Sequence, residues 1–220
     1  MKRLLRENGL SLVMFGLFFV FVIGQALTGF HESNDDRQQH HQTQLTFSQY
    51  LVSGHFVEAI FENWESEFLQ MGAYVLLTTF LYQKGSPESK KLNEEEATDA
   101  EPDEANPPPN APWPVRRGGF ILALYKYSLS GTLFLLFFIS LLLHAAGGAH
   151  EYSREQAAHG EASVTTLQYM GTSRFWFESF QNWQSEFLSV GVLVVLSIFL
   201  RQKGSPESKP VDHPHSETGE

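Results

Sequence analysis

The chain reads as an all-α membrane protein of four transmembrane helices, arranged as two parallel two-helix repeats with short interfacial helices in the outer loops. Three observations lead there. Long apolar blocks alternate with polar ones, so the mean hydropathy of -0.20 averages over two kinds of chain. Residues 61–90 (FENWESEFLQMGAYVLLTTFLYQKGSPESK) return at 180–209 (FQNWQSEFLSVGVLVVLSIFLRQKGSPESK), at an offset of 119 with 20 of 30 positions identical. Lys and Arg gather on one side of the apolar blocks, as the positive-inside rule requires.

The first crossing is predicted over 9–29, 21 residues without a charge, which meets the ~20 residues that ~30 Å of hydrocarbon demands. Lys2, Arg3 and Arg6 precede it and hold the N-terminus in the cytoplasm. The run exceeds the ~7–15 residues of a signal-peptide core. The same offset pairs Leu10-Ser11 with Leu129-Ser130, inside the chain, so an uncleaved anchor is expected. The second crossing is placed at about 63–82, the third at 122–146 and the fourth at 182–200. The clean apolar runs of the second and fourth, Phe68 to Tyr82 and Phe187 to Leu200, cover only about 22 Å at 1.5 Å per residue. Those helices must therefore extend back through the Asn-Trp-x-Ser-Glu block. With both termini and the central linker inside, 12 of the 15 basic residues are cytoplasmic, and only Arg37, Arg154 and Arg174 lie outside.

The organisation follows: a first repeat over 1–90, an acidic Pro-rich linker over 91–117, a second repeat over 118–209 and a tail over 210–220. The linker carries Glu94-Glu95-Glu96, Asp99, Glu101, Asp103, Glu104 and Pro107-Pro108-Pro109. It has too little apolar area to offset the entropy of ordering and is expected to be disordered, as is the tail. Gly85 and Gly204 suit left-handed helix ends. Gly16, Gly72, Gly131 and Gly191 are candidates for close helix contacts. Phe175, Trp176, Phe177, Phe180 and Trp183, with Phe56, Phe61 and Trp64, are expected to form an outer aromatic belt.

The polar residues that recur in both repeats are the candidate site: Asn63, Trp64, Ser66 and Glu67, with Asn182, Trp183, Ser185 and Glu186. Asn63 and Glu67 share a helix face at i, i+4. A carboxylate at that depth is costly and is often functional. His144 is the counterpart of Gln25 at the outer end of the neighbouring helix, and His31 and His150 lie just beyond. Carboxylates among imidazoles suit a proton relay or a divalent-metal site. Equally, Glu67 and Glu186 can snorkel to the headgroups. Glu58, Glu62 and Glu65 have no acidic counterparts and are expected in solvent.

Several classes are excluded. Without cysteine there is neither a disulfide framework nor a thiolate metal site. The charge of -10 resides largely in the linker, and no basic stripe offers itself to nucleic acid. No P-loop, nucleophile elbow, zincin helix or Rossmann fingerprint is present, so no catalytic residue and no cofactor is expected.

At the Asn-Trp-x-Ser-Glu-Phe-Leu block and the Gln-Lys-Gly-Ser-Pro-Glu-Ser-Lys ending the chain resembles an uncharacterised bacterial family of duplicated four-span membrane proteins. The resemblance covers nearly everything but the linker and the last ten residues. It implies a bacterial cytoplasmic membrane and no particular activity. The leading expectation is a non-enzymatic membrane module that contacts the lipid bilayer, a second copy of itself or a membrane-protein partner. A small proton- or ion-coupled transporter or channel using Glu67 and Glu186 is the alternative. A membrane enzyme or metal-binding protein built on the outer Glu/His cluster is the third.

Overall fold

The computed structural model describes residues 2–219. Among them are eight α-helices, one 3-10 turn and no strand. Helix α1 (Lys2–Gln39) is bent at Asn8, whose φ/ψ of -130/17 interrupts the helix. Helix α2 (Phe47–Tyr50) is a single turn, and α3 runs from Gly54 to Leu77. Helices α4 (Trp113–Arg117) and α5 (Gly119–Lys126) lead into α6 (Ser128–Ala158). Helix α7 (Thr166–Met170) is again one turn, and α8 (Ser173–Phe199) closes the helical part.

Three helical segments, Leu5–Gln39, Ser128–Ala157 and Ser173–Phe199, are long and apolar enough to cross a membrane. Helix α3 is not in that set. It stops at Leu77, short of the expected 82, and it brings Glu58, Glu62, Glu65 and Glu67 along its length. The first helix overruns its expected end by ten residues, since the polar stretch after Gly29 stays helical to Gln39. The third is split: α5 ends at Lys126, Tyr127 leaves helical geometry, and α6 starts afresh.

The chain falls into two compact units, Met1–Phe61 with Leu143–Phe175, and Glu62–Leu142 with Trp176–Glu220. In the first, two matching corners are built. Thr46 caps α2 by accepting from the Gln49 N–H, while the Gln49 side chain accepts from the Thr46 N–H. Thr165 and Gln168 do the same for α7. This reciprocal box satisfies two otherwise orphaned helix donors. Asn34 binds both the N–H and the C=O of Leu45, at 2.7 and 3.0 Å. The Ser153 hydroxyl treats Val164 alike, at 2.9 and 3.2 Å. Tyr50 and Tyr169 are both buried, each with its ring against a glycine, Gly29 or Gly148. A Cβ on Gly54 would stand 2.7 Å from the Gly147 carbonyl, so α3 and α6 cross there backbone to backbone.

In the second unit, a Cβ on Gly72 would meet Leu133 and Phe134 at 3.4 Å, an ordinary contact. Gly16, Gly131 and Gly191 have nothing within 4 Å, so of the four glycines expected at close approaches only Gly72 has a neighbour. Gly85 and Gly204 do take positive φ, but several residues past the helix ends, in turns closed by Ser86 N–H to Gln83 C=O and Ser205 N–H to Gln202 C=O. The acidic stretch carries a 3-10 turn at Ala97–Asp99 and an ion pair from Lys90 to Asp99 of 2.6 Å. The tail, expected without fixed structure, is held by two cations. Arg201 donates to the Pro210 and His213 carbonyls, and the Lys209 ammonium to those of Gly85, Pro214, His215 and Glu217, at 2.6 to 3.2 Å.

Candidate functional site

Two clusters of buried polar side chains centre on a carboxylate of α3, one in each unit. In the first unit, Glu58 projects from α3 one turn after the Gly54 crossing. Its carboxylate accepts from the Tyr169 hydroxyl at 3.1 Å. A Glu58 carboxylate oxygen and a ring nitrogen of His144, on α6, lie within 4.8 Å of one another. Glu58 is 8% exposed and both His144 and Tyr169 0%. Phe175 closes the pocket, its ring centroid 5.0 Å from His144 and 5.7 Å from Tyr169. The smallness of Gly147 makes this possible: a Cβ there would strike the Glu58 backbone nitrogen at 2.6 Å.

The chemistry of the set is clear in outline. A carboxylate, an imidazole and a phenol in a dry pocket can share protons. Carboxylate and imidazole are also ordinary ligands for a divalent cation such as Zn²⁺. Burying a carboxylate costs several kcal/mol unless donors satisfy it, and the Tyr169 hydroxyl supplies one.

The second place lies along α3 and α8. Glu65, fully buried, accepts from the Ser179 hydroxyl at 2.8 Å and from the Trp183 indole N–H at 3.2 Å. The Asn182 amide donates to Glu62 at 2.5 Å. Ser66 and Gln70 are buried nearby in the same helix. Trp183 also packs edge-on to Phe137, so its indole plane is fixed from two sides.

The residues picked out from the sequence are partly brought together. His144 is in the first cluster, and Asn182 and Trp183 are in the second. Ser66 and Ser185 bond the carbonyls of Asn63 and Asn182, three residues back in their own helices. Glu67, Asn63 and Ser185 are exposed, with Trp64 and Glu186 half-buried. Glu67 lies within electrostatic reach of Glu186. His31 and His150 are exposed, His31 stacked on Phe30 and His150 beside Gly54.

Among the described residues three carboxylates are buried, Glu58, Glu65 and Glu151, and the first two are ones expected in solvent. At the positions aligned with Glu58 and Glu65 stand Phe177 and Gln184. A reading that weights recurring residues discounts groups present in one repeat alone. One signal was available: Glu58 and Glu65 are seven residues apart and so lie on one helix face, with Ser66 and Gln70 beside it. Phe175, expected in the aromatic belt, is instead buried, while Phe177 and Phe180 are exposed as a belt would have them.

An all-helical chain with three helices fit to cross a membrane, bare apolar surface and buried carboxylates belongs with helical membrane proteins. Along residues 1–220 it matches the family described as domain of unknown function (DUF6766), and it belongs to that family. No curated protein and no solved structure matches it.

Proposed function

We infer that this is an integral protein of a bacterial cytoplasmic membrane, made of two copies of one two-helix unit. Both termini and the linker face the cytoplasm, and the protein acts as a non-enzymatic module toward lipid and partner proteins. The observation that carries this reading is α1. From Leu10 to Leu27 most of its apolar side chains are exposed, Leu10 by 79%, Phe15 by 64% and Phe21 by 68%, and only Ala26 is buried. Water does not tolerate such a surface on a monomer, whereas hydrocarbon does.

Helix α3 is the proposed fourth crossing. Its 24 residues span about 36 Å, which is length enough. Its acidic residues are the obstacle, and the donors on Ser179 and Trp183 are what make Glu65 tolerable there. The matching corners at Tyr50 and Tyr169 support the two-copy reading.

Single-cysteine labelling tests this directly, because the chain has no native cysteine. Gln44→Cys is expected to react from outside intact cells and Ala105→Cys only after lysis. Labelling of both from one side would end the model. For the partner reading, purification in mild detergent is expected to retain lipid or another membrane protein in constant ratio.

A second reading rests on Glu58, Tyr169 and His144: proton or ion handling, moved there from the expected Glu67 and Glu186. Flux into liposomes is expected to fall with Glu58→Gln and to persist with Glu67→Gln/Glu186→Gln. Unchanged flux in Glu58→Gln would remove it.

A further inference from the structure

The segment Gln-Lys-Gly-Ser-Pro-Glu-Ser-Lys occurs at 83–90 and 202–209, and its two occurrences fold alike. Gly85 has φ of 90° and Gly204 of 86°. The Gln83 N–H donates to Ser89 Oγ at 2.8 Å and the Gln202 N–H to Ser208 Oγ at 2.9 Å. The Glu88 and Glu207 N–H groups donate to Ser86 Oγ and Ser205 Oγ, both at 3.2 Å. Eight identical residues thus present the same backbone donors and acceptors in the same geometry.

Their surroundings differ. The first turn is buried under the chain's own tail. The Gly85 N–H donates to the Thr218 hydroxyl at 2.8 Å, and the Gly219 N–H to the Ser86 carbonyl at 3.1 Å. A Cβ at Gly85 would lie 2.5 Å from the His215 carbonyl, so the tail backbone runs directly over the glycine. At Gly204 nothing lies within 4 Å, and the glycine is exposed.

The backbone of the tail, through His215, Thr218 and Gly219, is therefore what this turn binds where it is filled. The glycine does two things: it allows the positive φ, and it leaves room for a second backbone to approach. The Gly204 N–H can donate as its twin at Gly85 does, and the Ser205 carbonyl can accept as its twin at Ser86 does. We propose that the Gln202–Lys209 turn is a docking site for a peptide segment of a partner protein, one carrying a hydroxyl residue followed by glycine, as Thr218-Gly219 does. The hydroxyl accepts from the Gly204 N–H, and the next N–H donates to the Ser205 carbonyl. The ammonium that bridges turn and tail at the first site is Lys209. Its counterpart, Lys90, is engaged by Asp99, so the open turn binds more weakly than the filled one.

The test is a titration of the full-length protein in detergent micelles with a labelled peptide of residues 210–220. Micelles make the outcome independent of which side of the membrane the turn faces, so failure here and failure of the topology above are distinguishable. One peptide is expected to bind per chain, and two to a chain ending at Lys209, whose first turn has been vacated. Gly204→Asn is expected to remove the site from the full-length protein. Asparagine tolerates the left-handed conformation, so the turn survives, while its Cβ stands where the docked backbone must pass. Unaltered binding by Gly204→Asn would overturn the proposal. So would a full-length chain that binds no peptide while the truncated one binds a single copy, or displacement of the bound peptide by vesicles of anionic lipid.

Discussion

Tyr50 and Tyr169 stand 119 residues apart at corners with the same caps and the same clamp, yet their hydroxyls end in different places. Tyr50 reaches His55 at 3.4 Å, and His55 in turn reaches Glu32 at 3.4 Å, a carboxylate that is largely exposed. Burial, with the Glu32 charge behind it, pushes the Tyr50 phenol up. Tyr169 donates instead to Glu58, in a pocket closed by Phe175 and His144. At positions 55 and 174 the chain has His and Arg, and Arg174 turns outward to Glu155 at 2.5 Å. One repeated corner has thus been given a wet polar ending in one place and a dry one in the other. The two corners share caps and clamp, and the residues that differ between them decide where each hydroxyl ends.

Four substitution pairs probe that asymmetry. The largest effect is expected at the glycines. A Cβ on Gly148 would meet the Tyr169 ring and hydroxyl at 2.4 to 2.7 Å, whereas one on Gly29 would collide hard only with the tip of Tyr50. Gly148→Ala should cost about 1–3 kcal/mol of stability through overpacking, and Gly29→Ala less, as read from thermal unfolding in detergent. Equal losses would mean that the corners are equivalent after all.

Next comes the hydroxyl itself. Tyr169→Phe leaves the buried Glu58 short of a donor and should cost about 1–3 kcal/mol. Tyr50→Phe should cost well under half as much in the same assay, since a 3.4 Å contact to a half-buried histidine is weak.

A third pair concerns where α1 and α6 end. His41 sits at φ of 55° and Gly160 at 75°, each closing its helix with a backbone bond, from Gln42 to Arg37 and from Glu161 to Gln156. A side chain in that region costs roughly 1 kcal/mol. His41→Gly should therefore stabilise slightly and Gly160→His destabilise by a similar amount. The same sign for both would break the equivalence of the two ends.

The smallest effect is at the two Gln-Lys-Gly-Ser-Pro-Glu-Ser-Lys turns. The Lys90 ammonium holds the Asp99 carboxyl below the usual range, with the Glu96 backbone N–H adding to it, while Asp99 holds Lys90 above its own. The Asp99 contribution is present above the ordinary carboxylate value and lost as pH falls through the lowered one. The Lys90 contribution is present below the ordinary amine value and lost as pH rises through the raised one. The pair is thus whole from about pH 4 to pH 10. It is exposed and screened by salt, so little stability is at stake. An NMR titration should find the Asp99 midpoint low and see Lys90→Ala raise it most of the way, the Glu96 backbone N–H holding the remainder. Lys209→Met, by contrast, should open the tail to proteolysis, because the Lys209 ammonium is buried among four carbonyls.

The helical class and the presence of helices long and apolar enough to cross a membrane were legible because length and hydropathy are local properties. Short helices in the loops were legible as well, and α2 and α7 are there. The buried carboxylates were not. Nothing about Glu58 or Glu65 in isolation separates them from Glu67, which is exposed. What separates them is which face of α3 meets a donor.

By itself, then, the sequence determined where helices begin to be possible, how much apolar surface they must hide, and that one stretch is used twice. Periodicity, composition and repetition are written residue by residue. Only the tertiary structure decided that Tyr169 would turn to Glu58, that the first Gln-Lys-Gly-Ser-Pro-Glu-Ser-Lys turn would lie under the tail and its twin stay bare, and that Phe175 would be core. Burial and partnership belong to pairs of segments distant in the chain. Identical segments come to differ when what packs against them differs.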